Sequence, residues 1–176
     1  MQHKSILGVV ASCTVISSSF FMLTWQPQRV LALTNVPVNQ VLSPIKKKAT
    51  VPIFIPSKLP FSEPEKVYYI SEVTDKGYMV SFNYTPNCQG TPCYIGSIEA
   101  ERGGEFIKPE TGITKAFRKV RLSGGTTGVF HNGCGAYCTA TLEWKRQGIL
   151  YRVTVKNGEE KDLIAIANSA ILSGRR

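Results

Sequence analysis

The sequence predicts an α+β domain, an antiparallel sheet of about six strands with a C-terminal helix packed on one face. Short runs in which apolar and polar residues alternate, each closed by turn residues, recur over residues 67–156, as half-buried strands joined by turns do. A helical period appears only after them, at Leu163, Ile166, Ala167, Ala170 and Ile171, and a helix with one apolar face needs a sheet to cover.

Taken in order, Val51-Pro52-Ile53-Phe54-Ile55-Pro56 opens the apolar structure, and its prolines confine it to an edge or an extended segment. Residues 67–70 form the next strand, and Thr74-Asp75-Lys76-Gly77 is a hairpin loop with Gly77 available for positive φ. Tyr78, Val80, Phe82 and Tyr84 then share one face, with Met79, Ser81 and Asn83 on the other. Residues 94–100 give a further strand, closed by Arg102-Gly103-Gly104. Residues 115–122 follow, with Lys115, Lys119 and Arg121 along one face, and Gly124-Gly125 turns the chain into Val129-Phe130.

The clearest hairpin comes last. Cys138, Ala140, Leu142 and Trp144 alternate with Thr139, Thr141 and Glu143, Lys145-Arg146-Gln147-Gly148 turns, and Ile149, Tyr151, Val153 and Val155 return. Asn157-Gly158 is placed to cap the final helix, and Glu159, Glu160 and Asp162 put negative charge at its start.

The chain has 176 residues, 43% hydrophobic and 19% charged, a globular profile that excludes disorder, collagen and coiled coil. Its two histidines exclude schemes that need several His ligands or two catalytic His. Lys4 and Arg29 bracket an uncharged stretch that is mostly apolar over residues 5–25, the shape of a secretory h-region, and Val30-Leu31-Ala32 suits cleavage after Ala32. Residues 1–32 are read as a signal peptide, 33–50 as a linker and 51–176 as the domain, exported to the periplasm or the outside of the cell.

Two other readings compete. An uncleaved anchor through residues 5–25 is opposed by the charge bias of Lys46-Lys47-Lys48. Lipidation at Cys13 in Val10-Ala11-Ser12-Cys13 is opposed by the apolar stretch that follows it. Without residues 1–32 the chain keeps 19 basic and 12 acidic residues and a charge of +7.

Four cysteines remain, Cys88 and Cys93 with four residues between them and Cys134 and Cys138 with three. An even count in an exported chain reads as two disulfides; the competing four-sulfur zinc site favours two-residue spacers and reducing compartments. Three pairings are open. Local pairs are preferred because Pro86, Gly90, Pro92, Gly133 and Gly135 let both loops turn sharply enough to bring Cα atoms within about 6 Å.

The stretches VPIFIPSKLP, GYMVSFNY, KVRLSGGTTGVF and LEWKRQGILYRVTVKNGEEKDLIAIANSAI resemble small exported proteins of unknown function from cyanobacteria. The closing hairpin and helix are similar to a bacterial extracytoplasmic domain of sporulation and anti-sigma regulators, related in shape to lipoprotein-carrier folds. The resemblance covers residues 51–172 and rests on structural motifs, so it implies a fold and an envelope setting and transfers no functional residue. The four cysteines depart from the plain bacterial domain and imply a disulfide-bearing subgroup.

Candidate chemistry is sparse. His131 three residues before Cys134 suggests a thiol nucleophile and an imidazole base, but a disulfide loop leaves no thiolate. Glu99 and Glu101 alternate on one strand face, near the spacing of paired glycosidase carboxyls; a solvated face is the plainer reading, and Glu143 beside Trp144 reads as an outward charge. Residues 123–128 (SGGTTG) lack the Lys and the helix of a phosphate loop. A tyrosine row at strand spacing reads as core, or as a carbohydrate platform if exposed.

Lys115, Arg118, Lys119 and Arg121 form the one candidate anion-binding face, which would meet anionic envelope components or another envelope protein. Nothing suggests nucleic acid, a catalytic residue, a metal or a cofactor. The expectation is an exported, non-enzymatic envelope domain that binds a partner or ligand. The alternatives are a carrier of an apolar molecule between sheet and helix, and a cell-wall hydrolase that uses acidic residues.

Overall fold

The computed structural model describes residues 34–60, 66–108, 114–135 and 137–176, with residues 114–116 described by their backbone alone. The expected signal peptide, residues 1–32, lies outside the described residues. The elements run β1 Thr34–Asn35, α1 Val38–Lys46, β2 Lys58–Leu59, β3 Tyr68–Val73, β4 Gly77–Asn83, β5 Tyr94–Arg102, β6 Thr114–Arg121, β7 Thr127–Cys134, β8 Cys138–Arg146, β9 Ile149–Lys156 and α2 Glu160–Ser173. Strands β3 to β9 make one antiparallel sheet in the order β3-β4-β5-β9-β8-β7-β6, and β1 pairs with β2. The domain is α+β, with seven strands in the main sheet and α2 on one face.

Alternation decides that face. Phe130, Leu142, Val153, Ile98 and Val80 form one register row, Trp144, Tyr151, Ala100 and Tyr78 the next, all nine at most 9% exposed. Against them α2 sets Leu163, Ile166, Ala167 and Ala170, each 0% exposed. Its N-cap is Glu159, whose side chain takes the Asp162 N–H while Asp162 takes the Glu159 N–H, a reciprocal cap that satisfies two orphan donors. Asn157, expected as the cap, instead adopts φ 52° and accepts the Cys138 N–H through Oδ1.

Residues 51–57 cover the same face without forming a strand. Their prolines remove backbone donors, and tyrosines of the sheet supply the missing partners: the Tyr78 hydroxyl donates to the Phe54 carbonyl and accepts the Phe54 N–H, and the Tyr151 hydroxyl donates to the Pro52 carbonyl. Burial raises the pKa of both hydroxyls, Tyr151 to about 12 against the pull of Arg146 and Arg175, and Tyr78 against that of its Phe54 hydrogen bond.

Residues 33–50, expected as a linker, contain β1 and the helix α1, whose Val41, Leu42 and Ile45 enter the core. Val38, Val41, Leu42 and Ile45 recur at helical spacing, but nine residues with Pro44 inside and a lysine run behind read as irregular. Gly77 is required for a reason other than a positive φ. A Cβ there would lie 1.7 Å from the Ala100 carbonyl oxygen of β5, so only glycine permits the strand to approach. Gln147 and Gly148, at φ 52° and 74°, make the two-residue turn that joins β8 to β9.

Candidate functional site

The second face of the sheet carries the polar residues. Counted across the register from β6 to β3, one row reads Lys119, Val129, Glu143, Arg152, Glu99, Met79 and Glu72. At its centre the Arg152 guanidinium donates from Nε to Glu143 Oε1 at 2.8 Å and from an Nη to Glu99 Oε2 at 3.1 Å. The Ile107 N–H donates to the second Glu143 oxygen at 2.9 Å, and a relay from the Tyr94 hydroxyl through Ser97 Oγ ends on Glu99 Oε1. Burial alone would pull the Arg152 pKa down, but the hydrogen bond and charge of Glu143, then Glu99, raise it.

This clamp corrects one expectation: Glu143 is not an outward charge but 0% exposed, beneath the segment that carries Ile107. Glu99 joins it on the same guanidinium while Glu101 stays exposed. Both Glu143 oxygens are therefore occupied by internal donors, an arrangement that holds strands together. His131 lies on the same face, 6% exposed, its ring stacked on Phe117 at 4.8 Å and its Nε2 buried without a partner. Burial lowers its pKa, with Glu143 opposing and Arg152 assisting. Cys134 is bonded to Cys138, so its sulfur is no thiol for His131 to activate.

Both cysteine pairs close locally, Cys88 to Cys93 with Cα atoms 5.5 Å apart and Cys134 to Cys138 at 4.0 Å. Disulfides place the domain in an oxidising, non-cytoplasmic compartment. Among the described residues no helix is long and apolar enough to cross a membrane.

The disulfide loops meet at one end of the second face. Lys156 Nζ donates to the Thr91 carbonyl in the first loop and lies 5.4 Å from the centre of the Tyr137 ring in the second. Between the loops opens a cleft of about 350 Å³ lined by Ile70, Ser81, Asn83, Thr91, Tyr94 and Tyr137, with Glu72 at its border to a neighbouring groove. Asn83 is 2% exposed and its Nδ2 has no hydrogen-bond partner. The neighbouring groove, about 490 Å³, is acidic, with Glu72, Asp75, Glu99 and Glu101.

The four basic residues of β6 do not form one face. Arg118 turns toward α2, where it pairs with Glu160, while Lys119 and Arg121 alternate onto the second face. The Lys115 backbone pairs with Asn132 across a register shift, and its side chain lies outside the described residues. Between α2 and the sheet, Leu163 and Ile166 are fully buried; the apolar groove beside α2, about 450 Å³, lies on its other side, against Lys58 and Pro60.

The sequence reading missed Arg152, Asn83, Tyr94 and Tyr137. For Arg152 a signal existed. Counting back from the Gln147-Gly148 turn sets Glu143 opposite Arg152, opposite charges on facing positions. Comparison with protein-family models, curated proteins and solved structures finds no match for this chain.

Proposed function

We propose that this protein is an exported, non-enzymatic domain of the cell envelope that binds a partner or ligand through the second face of its sheet. The observation that carries the reading is the Asn83 side chain, which lines the cleft with a buried amide donor left unpaired. An unpaired buried donor costs roughly 1–3 kcal/mol, and a ligand acceptor recovers that cost. The disulfides and the apolar stretch over residues 5–25 support export, with residues 1–32 removed as a signal peptide. The resemblance of the closing hairpin and helix to an extracytoplasmic bacterial domain supports the same setting. Lys119 and Arg121, on the second face at its β6 end, supply a site for anionic envelope groups.

A photo-crosslinking amino acid placed at Tyr137, 38% exposed, or at Leu172, 76% exposed on α2, tests the binding face in living cells. Adducts from position 137 and none from 172 are expected; adducts from 172 alone, or from neither, overturn the reading. Intact-mass analysis should show an exported chain that begins at Leu33. Retention of the full chain in membranes, or acylation at Cys13, would replace the signal-peptide assignment.

A further inference from the structure

We infer that the cleft between the disulfide loops is a subsite for a neutral saccharide, an assignment that rests on the proposed binding face and names its ligand class. The floor of the cleft is the sheet itself. Ser81 and Asn83 of β4 sit between β3 and β5, and their backbone belongs to the sheet ladders, so strand addition cannot occur on the floor and would need the outer edge of β3. Recognition falls to side chains: an amide donor at Asn83, a hydroxyl at Ser81, a carboxylate at Glu72 and the rings of Tyr94 and Tyr137. Hydroxyls in several directions around an apolar ring face match that set, since a pyranose stacks its C–H face on an aromatic and offers neighbouring hydroxyls to amides and carboxylates.

Three further observations support a built site. Asn83 lines the cleft and its amide donor is buried and unpaired, a donor that a ligand acceptor would satisfy. Its register partners on both sides are tyrosines, Tyr68 on β3 and Tyr94 on β5. The Lys156 ammonium lies over the Tyr137 ring, 5.4 Å from its centre, and also donates to the Thr91 carbonyl of the first disulfide loop. That contact restrains the ring, which lowers the entropic cost of stacking.

The test titrates the oxidised, exported, ¹⁵N-labelled protein with cellotriose, maltotriose and chitotriose at millimolar concentration, and separately with tetra-alanine and trilysine. The expected result is that at least one trisaccharide shifts the Asn83 side-chain amide signals. Tyr137→Ala should weaken that binding about tenfold, Tyr137→Phe should retain it, and Leu172→Ala should leave it unchanged. If a peptide shifts those signals and no saccharide does, the saccharide assignment falls while the binding face stands. If neither class shifts them, the saccharide assignment also falls, and crosslinking at position 137 decides the binding face on its own.

Discussion

Arg152 is the residue on which the second face depends. It holds a carboxylate with no solvent contact, so Arg152→Met leaves Glu143 buried and uncompensated, a loss on the order of 3–5 kcal/mol. Glu99→Gln removes the charge of a partly exposed partner and should cost about 1 kcal/mol or less; urea midpoints for the two variants should differ in that order. His131 gives the face a pH dependence. The folded state lowers its pKa, so the unfolded chain binds the extra proton first, and stability falls as pH drops below about 6.5 toward the folded value. His131→Gln should flatten that part of the urea-midpoint profile, and an unchanged slope would assign it to other groups. Glu99 was the hardest of these residues to read from sequence, because its partner sits 53 residues away on a strand whose register with β5 no local turn sets.

At the scale of elements, legibility followed locality. The hairpin of β8 and β9 and the helix α2 were readable because a two-residue turn, strict alternation and a helical period are each set by a short continuous stretch of chain. Helix α1 was not, because its stability comes from core contacts of Val41, Leu42 and Ile45 that reach past Pro44 and the lysines. Ile166→Ala on α2 should cost on the order of 2–5 kcal/mol, and Ile45→Ala on α1 should fall in the same range. Glu160→Ala breaks only the surface pair with Arg118 and should cost about 1 kcal/mol or less. If Ile45→Ala leaves the thermal midpoint unchanged, α1 is an appendage after all. The segment over residues 51–57 should loosen in alkali. The hydroxyls of Tyr78 and Tyr151 keep their protons in the folded state beyond the pH at which the unfolded chain loses them, so stability declines as pH rises above about 10. Tyr151→Phe should blunt that decline in urea melts read across the alkaline range.

For the whole molecule, the disulfides shape the cleft between their loops more than they hold the fold. Closing loops this short stabilises by about 2 kcal/mol each, so replacing both pairs with serine should lower the thermal midpoint yet leave a cooperative transition, while the Tyr137 and Thr91 signals broaden. Loss of all structure would show that the loops carry the fold. The order β3-β4-β5-β9-β8-β7-β6 contains one junction between strands that are not consecutive, β5 with β9; every other neighbour is reached by the next strand in the chain. During synthesis, therefore, β3 to β5 and β6 to β8 can assemble as two half-sheets, but the edge of β5 stays unpaired until the last strand appears. Such an edge invites aggregation unless a chaperone shields it. It also means that the chain cannot lock before nearly all of it has been made. If the chain is exported as proposed, this late closure leaves the complete sheet unformed for almost the whole of its synthesis.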